Sequence, residues 1–380
     1  MVKDYFVSLM GMLVFSLISS VVLEMMALPR VIFIAKKKSL YDIPDARKSH
    51  KQLVPRLAGA TFFPILLFVF SLCTMIIMRL MPDESTVTLF PVLRKMFGTI
   101  AGCLILWGIG LKDDLVGSRY SHKMAVQLMA AVLMVSGGLY INNFNGLFGI
   151  WEIPFWIGMP FTVLLTVFIT NAFNLIDGAD GLASGISGVA LISFGLLSFI
   201  RELFFFSLIC VILIGILIPF FYYNVFNTSR KVFMGDTGSL TLGYFLAFLG
   251  VRFSMNMPGH YEMFNSPVII SLSALFIPLF DALRVMLGRA FAGKSMFMPD
   301  RRHIHHKLLD LGFSHRKVMI SLVICAGLLV LANVILQSFM NINLVFAFDM
   351  IVWIGSVKII NVMLRRKKLS LNLDNSFSIK

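Results

Sequence analysis

Hydrophobic residues along the chain fall into long runs that are separated by short polar segments. A helix that crosses a bilayer needs about 20 mostly apolar residues, and eleven runs approach that length. They cover residues 5–29, 57–80, 92–111, 124–141, 156–174, 182–200, 203–223, 238–256, 266–287, 318–338 and 342–363. The pattern therefore predicts an all-α fold, a polytopic membrane helical bundle with about eleven transmembrane helices.

The composition supports a chain that is solvated by lipid. Of the 380 residues, 58% are hydrophobic and 14% are charged, whereas a soluble domain is about 45–50% apolar and about 25% charged. We therefore expect the lipid bilayer to be a partner of one transmembrane domain over residues 1–363. The basic segment 364–380 is expected to be a disordered tail.

Lysine and arginine are concentrated on one side of the predicted bundle. That side holds the tail and the loops 30–56, 112–123, 175–181, 224–237 and 288–317. Because such loops are retained in the cytoplasm, we expect a cytoplasmic C-terminus and a periplasmic N-terminus. The net charge of +14 also suits anionic lipids and phosphorylated substrates. The chain carries no motif typical of nucleic-acid binding, so nucleic acid is not an expected partner.

The first polar cluster lies at the end of the third predicted helix, in the sequence GLKDD. Asp113 and Asp114 are adjacent carboxylates at a membrane boundary, where charge is costly unless it is paired or bound to a cation. Lys123 opens the next helix and is a candidate charge partner. The cluster indicates either a metal or general-base pair, or a solvated helix end.

The second cluster is NAFNLIDGADG. Asn171, Asn174 and Asp177 recur every three residues and Asp180 extends the pattern, which on a helix would place all four on one face. The glycines that follow allow backbone to approach a ligand closely. A helix-capping loop is the alternative interpretation.

The third cluster is GDTGS, at the start of the eighth predicted helix. Asp236 is either a plain N-terminal cap or a metal ligand. Mg²⁺ prefers oxygen ligands from one or two carboxylates together with substrate phosphate. Asp236 with Asn174 would supply such a set.

The fourth cluster is DRRHIHHK, which contains Arg302, His303, His305 and His306. Basic and imidazole donors on one loop suit a diphosphate, whereas a zinc site would need a different ligand spacing. A solvated basic loop is the simpler alternative. All of these clusters lie at cytoplasmic helix ends, which indicates a site for an anionic, metal-bound ligand and hence phosphoryl transfer.

The motifs GLKDD, NAFNLIDGADGLASG, VFMGDTGSL and DRRHIHHKL, in this order, resemble the polyprenyl-phosphate N-acetylhexosamine-1-phosphate transferase superfamily, glycosyltransferase family 4. The resemblance covers about residues 42–317. It implies a Mg²⁺-dependent enzyme, with Mn²⁺ as a substitute. Such an enzyme moves a sugar-1-phosphate from a UDP-sugar to a polyprenyl phosphate such as undecaprenyl phosphate and releases UMP. The 1–363 domain is thus expected to be catalytic.

The candidate site residues fall into three groups. Asp236 and Asn174 are expected to bind the metal, and Asp113, Asp114, Asp177 and Lys123 are the catalytic candidates. The substrate-binding candidates are Asn171, Asp180, Asn224, Phe233, Arg302, His303, His305, His306 and, in the basic first loop, Arg47, Lys48, His50 and Arg56. The resemblance implies that Phe233 stacks on uracil, that Asp180 and Asn224 lie near the nucleoside, and that the histidines surround the diphosphate.

The form of the histidine motif is similar to that of the branch that uses UDP-N-acetylglucosamine (UDP-GlcNAc). One departure is PRLAG at 55–59, where the family usually has two glycines. Another UDP-N-acetylhexosamine or UDP-MurNAc-pentapeptide is the alternative donor. The expected product begins a cell-envelope polysaccharide at the bacterial inner membrane.

A membrane transporter is the alternative from another class. It would place charges at mid-membrane on broken helices, whereas the ionisable residues within predicted spans are few, among them Glu24, Asp281 and Asp349. The sequence leaves open whether the protein is a homodimer.

Overall fold

The computed structural model describes residues 2–42, 54–80, 86–255, 266–295 and 301–377. Within these ranges the chain forms twelve α-helices: α1 (Val2–Lys37), α2 (Phe62–Leu80), α3 (Thr86–Val116), α4 (Tyr120–Ser136), α5 (Phe155–Ile176), α6 (Leu182–Ile200), α7 (Phe204–Phe221), α8 (Gly235–Ser254), α9 (Pro267–Ala290), α10 (Ile304–Asp310), α11 (His315–Leu336) and α12 (Ile342–Phe377). Two short strands, β1 (Tyr41–Asp42) and β2 (Val54–Pro55), pair antiparallel at the base of the first loop.

Nine helices in the described part of the chain are long and apolar enough to cross a membrane: α1, α2, α3, α5, α6, α7, α9, α11 and α12. The predicted all-α polytopic fold is therefore confirmed. The predicted spans at 124–141 and 238–256 correspond to α4, which has 17 residues, and to α8. All twenty residues of α8 are buried, so its polar side chains contact protein and not lipid.

Helix α8 is the centre of the bundle and packs against α3, α5, α6 and α9. Glycines make these contacts close. A Cβ atom on Gly243 would lie 3.0 Å from the Cα of Thr170 in α5, and one on Gly110 of α3 would lie 2.6 Å from the Cα of Thr237. The N-terminus of α8 is thus pressed against the end of α3, where the sequence places a polar cluster.

Two predicted boundaries are corrected by longer helices. Helix α1 continues through Lys37, past the loop start predicted at residue 30, because Pro29 is accommodated inside the helix and residues 31–35 are apolar. Helix α12 continues through Phe377, past the span end predicted at residue 363. Helix α12 contacts the α10 segment on both sides of residue 363: Lys307 Nζ lies 2.7 Å from Asn361 Oδ1, and Lys367 Nζ lies 2.9 Å from the carbonyl of Asp310.

Candidate functional site

The end of α3 caps the start of α8. The Asp114 side chain is fully buried and accepts hydrogen bonds from the backbone N–H groups of Asp236 (2.8 Å) and Thr237 (2.9 Å) and from the Thr237 hydroxyl (2.6 Å). The first N–H groups of a helix lack partners within that helix, so a carboxylate from another helix supplies them here. Both Asp114 oxygens are engaged, which favours a positioning role for this residue.

Lys123 joins the other two acids, as its position in the sequence suggests. Its Nζ lies 3.2 Å from Asp113 Oδ2 and 2.5 Å from Asp236 Oδ2, and Arg56 Nη2 lies 3.2 Å from Asp236 Oδ1. Burial acts to raise the pKa of Asp236, but Lys123 and Arg56 outweigh it and the pKa is lowered. Burial acts to lower the pKa of Lys123, and Asp236 and Asp113 reverse this. Lys123 and Arg56 therefore hold the Asp236 carboxylate in its ionised form.

The acid cluster offers a set of oxygen ligands. Asp113, Asp114 and Asp236 each present a carboxylate oxygen, and these atoms lie within 4.8 Å of one another. Asn174 Nδ2 donates to the Ser239 hydroxyl (2.8 Å) in the first turns of α8, so its amide oxygen is the atom with which it would bind a metal. Carboxylate and amide oxygens are ligands that Mg²⁺ accepts, and the residues present therefore fit a hard divalent cation.

The four polar residues at and beyond the end of α5 do not form the single helical face that the sequence predicts. Helix α5 ends at Ile176, so Asp180 lies in the following turn. Asn171 faces α4: its amide nitrogen donates to the side chain of Gln127 and to the carbonyl of Val167 (2.8 Å). Asn171 therefore braces α4 against α5, since these contacts occupy its amide and turn it away from α8.

Asp177 follows the last residue of α5 and lies within electrostatic reach of the acid cluster. Burial raises the pKa of its carboxyl well above the ordinary range. Arg56 opposes this shift, and the carboxylates of Asp236 and Asp114 add to it. The Asp177 carboxyl is thus held in its protonated form more strongly than an exposed aspartic acid would be.

Asn224 connects the turn after α5 to the segment before α8. It is buried, its Oδ1 accepts from the backbone N–H of Gly181 (2.7 Å), and its Nδ2 donates to the carbonyl of Val232 (2.8 Å). Asp180 Oδ2 lies 2.5 Å from Lys231 Nζ across the same gap. Asn224 and Lys231 therefore hold the two segments at a fixed separation.

Phe233 lies next to this connection. Lys231 Nζ is 5.6 Å from the centroid of the Phe233 ring, a distance at which a cation interacts with an aromatic face. The aromatic ring, the Asp180 carboxylate and the Lys231 amine thus lie side by side. Sequence reasoning missed Lys231 as a site residue, because its charge gave no signal beyond that of a cytoplasmic loop.

The end of the first loop pairs with the segment that contains Phe233. The Phe233 N–H donates to the carbonyl of Pro55 (2.8 Å), the Ala58 N–H to that of Phe233 (3.2 Å), and the Gly59 N–H to that of Met234 (2.9 Å). This ladder fixes the backbone on both sides of Arg56. The remaining first-loop candidates, Arg47, Lys48 and His50, lie outside the described residues.

The histidine segment is held by α9. Asp281 Oδ2 lies 2.9 Å from His303 Nδ1, and its Oδ1 accepts from the backbone N–H of Ile304 (3.1 Å) and from Arg284 Nη2 (2.6 Å). The Arg284 guanidinium also donates to the carbonyl of Arg302 (2.8 Å), whose own side chain is exposed. Asp281 thus orients His303 and the start of α10, a role that its place inside a predicted span did not reveal.

His305 meets the glycine turn that follows α5. It is buried, and a Cβ atom on Gly178 would lie 2.8 Å from its Nε2. Both ring nitrogens are buried without a hydrogen-bond partner among the described residues. Burial, reinforced by His306, lowers the pKa of His305 to about 3, and burial also lowers the pKa of His306. The imidazole of His305 is therefore neutral at physiological pH.

Comparisons with known proteins identify the family of this chain. The model of the family described as Glycosyl transferase family 4 matches residues 96–254. The undecaprenyl-phosphate alpha-N-acetylglucosaminyl 1-phosphate transferase of Escherichia coli (strain K12) is 30% identical over 311 residues, which cover 80% of this chain and 78% of that protein. The chain belongs to glycosyl transferase family 4.

A second relative supports the membership in family 4. The probable undecaprenyl-phosphate N-acetylglucosaminyl 1-phosphate transferase of Bacillus subtilis (strain 168) is 29% identical over 334 residues, 86% of this chain and 85% of that protein. With nine membrane-length helices among its described residues, this family 4 member is a multi-pass membrane protein.

The family 4 match ends at residue 254, but the site extends beyond it. Arg56 from the first loop and His303 and His305 from the α10 segment lie outside the matched range, yet they contact Asp236, Asp281 and Gly178 respectively. The tertiary structure thus adds both flanking segments to the matched core.

Proposed function

We propose that this family 4 protein transfers GlcNAc-1-phosphate from UDP-GlcNAc to undecaprenyl phosphate and releases UMP. The observation that carries the proposal is the convergence of Asp113, Asp236 and Asn174 with the cations Lys123 and Arg56 at the junction of α3, α4, α5 and α8. The names of the relatives support the reaction, and the HIHH form of the histidine motif supports UDP-GlcNAc as the donor.

The transfer is a displacement at the phosphorus that bears the sugar. An oxygen of the acceptor phosphate forms a bond to this phosphorus, the bond to the bridging oxygen breaks, and UMP leaves with the electron pair. A phosphate monoester has a second pKa of about 6, so the acceptor is already anionic at neutral pH. It needs orientation and charge neutralisation more than a strong base, and we therefore rank metal binding by Asp236 above proton removal by Asp113.

Asp236 and Asn174 would hold Mg²⁺, or Mn²⁺ as a substitute. When bound, the ion would neutralise phosphate charge and help to fix the diphosphate. The chain prepares this position itself: Lys123 and Arg56 keep Asp236 ionised, and Asp114 fixes the first turn of α8. Ionised ligands and fixed donors reduce the reorganisation that the reaction requires.

The donor is expected to lie between two groups of side chains. We assign the nucleoside to Phe233 and Asp180, which both lie beside Lys231. Asn224 fixes the spacing of the two segments that carry them. We assign the diphosphate to His303, His305 and His306, with Arg302 at the exposed rim.

We also propose that the site faces the cytoplasm from the bacterial inner membrane and that its product begins a cell-envelope polysaccharide. Lysines and arginines surround the same end of the bundle as the acid cluster, as the loops 112–123 and 224–237 show. Cytoplasmic retention of basic loops supports this orientation, and the soluble UDP-sugar is then on the correct side.

Purified protein tests the proposal with Mg²⁺, undecaprenyl phosphate and UDP-GlcNAc. We expect release of UMP by the wild type and none by Asp236→Ala. Asp310→Ala is the matched control, because Asp310 is an exposed acid whose side chain pairs only weakly with exposed Arg301 at 3.3 Å, and this variant should retain activity.

A panel of UDP-N-acetylhexosamines and UDP-MurNAc-pentapeptide identifies the donor.

Turnover that persists in Asp236→Ala would remove this residue from the metal site. Uptake of the UDP-sugar into vesicles without any UMP release would instead favour a transporter.

A further inference from the structure

We infer that Glu24, inside the membrane-spanning helix α1, is a positioning residue for the metal site. The inference rests on the proposed function and extends it to a residue that touches neither substrate nor metal. Glu24 is fully buried. Placing an ionisable residue inside a membrane span costs free energy, so its presence there points to a function.

The partner of Glu24 is Thr61, at the start of α2. Thr61 Oγ1 lies 2.9 Å from Glu24 Oε1 and 2.8 Å from the carbonyl of Ala58. A threonine hydroxyl has one proton, which serves one of these two contacts. When Thr61 donates to the Ala58 carbonyl, a neutral Glu24 carboxyl donates its own proton to Thr61 Oγ1. A neutral carboxyl also avoids the cost of burying an unpaired charge.

Thr61 ends a short 3₁₀ turn, Ala58–Thr61, that is braced on two sides. On one side Glu24 holds its last residue. On the other side, backbone N–H groups of Ala58 and Gly59 donate to the carbonyls of the segment that leads into α8. A Cβ atom on Gly59 would overlap the backbone of Gly238 in the first turn of α8. The turn therefore lies directly between α1 and the start of α8.

The position of this turn decides where Arg56 lies. Arg56 is two residues before the turn, and its guanidinium reaches Asp236 at 3.2 Å. Without the Glu24–Thr61 bond, the turn would keep its bonds to the segment before α8 and to Trp107 of α3, whose Nε1 donates to the Ala60 carbonyl (3.0 Å), but would lose its polar tie to α1. Arg56 and the first turn of α8 would then move relative to Asp113 on α3. The expected result is weaker metal binding by a protein that still folds.

Two variants remove the contact from opposite sides: Glu24→Leu and Thr61→Val. The first readout is Mn²⁺ affinity, measured by electron paramagnetic resonance without substrates, and the second is the Mg²⁺ concentration that gives half-maximal UMP release. We expect each variant to weaken Mn²⁺ binding about tenfold, the effect of losing roughly one buried hydrogen bond. Glu24→Gln, whose amide can both donate and accept, should remain close to wild type.

The double variant Glu24→Leu/Thr61→Val separates this mechanism from general damage to the bundle. If both residues act through one contact, the double variant should be no weaker in Mn²⁺ binding than the worse single variant. Ser20→Ala is the matched control on the same helix, since Ser20 packs against α7 near Gly215 and bonds within α1 to Ser16. Its metal affinity should be unchanged.

The outcomes distinguish the two proposals. Wild-type Mn²⁺ affinity in both Glu24→Leu and Thr61→Val would overturn the role of Glu24, whatever the activity. A wild-type protein that binds Mn²⁺ but releases no UMP from any UDP-sugar would overturn the proposed function and leave the metal-binding comparison valid. If Glu24→Leu does not fold, Thr61→Val alone decides, because valine keeps the shape of threonine.

Discussion

Lys123 Nζ lies 2.5 Å from Asp236 Oδ2, although 113 positions separate the two residues in the chain. The same amine contacts Asp113 Oδ2 at 3.2 Å, so one cation at the start of α4 joins the end of α3 to the start of α8. A lysine between two carboxylates keeps them close without mutual repulsion.

Replacement of Lys123 by methionine should nearly abolish transfer. The variant leaves the carboxylates of Asp113 and Asp236 facing each other and removes a positive charge from the phosphate site. We expect kcat to fall by about 10²–10³, the range found for removal of one preorganised electrostatic donor. UMP release measures this loss, and Lys123→Arg should recover part of it. A Lys123→Met protein within threefold of wild-type kcat would contradict the assignment.

Two glycines on α3 form a matched pair for testing the α3–α8 contact. A Cβ atom on Gly110 would lie 2.6 Å from the Cα of Thr237, whereas one on Gly108 meets nothing within 4 Å. Backbone atoms cannot move aside cheaply in a packed interior. We therefore expect Gly110→Ala to lower kcat at least tenfold and Gly108→Ala to leave it unchanged. Equal activity in the two variants would show that the close crossing is unimportant.

The connection made by Asn224 should affect donor binding more than turnover. Asn224→Leu removes both of its hydrogen bonds, to Gly181 and Val232, so the segments that carry Asp180 and Phe233 lose their fixed spacing. We expect KM for UDP-GlcNAc to rise about tenfold, as the loss of a buried bond predicts, with a smaller effect on kcat.

Asn227 provides the control for this measurement, because it lies three residues further along and its side-chain oxygen accepts from neighbours in its own turn, the N–H of Arg230 (2.8 Å) and the Ser229 hydroxyl. Asn227→Ala should leave KM unchanged. A larger loss in kcat than in KM for Asn224→Leu would argue against a nucleoside pocket.

His305 should make the fold sensitive to acid. Its pKa in the folded protein is about 3, below the ordinary value of about 6.5. Between these values the unfolded chain binds a proton that the folded protein does not, so the free energy of unfolding falls as the pH falls through this window. At pH 5 the loss from this residue is ~2 kcal/mol.

Thermal unfolding at pH 7 and pH 5 measures this effect. We expect His305→Gln to lose less stability on acidification than wild type, since glutamine does not titrate. His122→Gln is the control for the loss of an imidazole, because His122 is exposed at the start of α4. Identical pH dependence in His305→Gln and wild type would show that another group dominates acid unfolding.

Much of the site was accessible from residue types and their order. The acids at 113 and 114, the amide at 174 and the acid at 236 were predicted to share one site, and α3, α5 and α8 bring them together. The contact between Asn171 and Gln127 was not predictable, because helical spacing gives only the direction of a side chain. Whether Asn171 meets ligand or Gln127 depends on which helix packs there.

The sequence alone determined that the chain is a membrane bundle with its polar chemistry gathered at helix ends. This was possible because the cost of placing charge in lipid applies to each segment separately and leaves a local pattern. Only the tertiary structure decided that Asp114 caps α8, that Asp281 orients His303 and that Glu24 holds Thr61. The physical reason is that each of these bonds joins segments distant in the chain, and the rotation and crossing of packed helices select the partner.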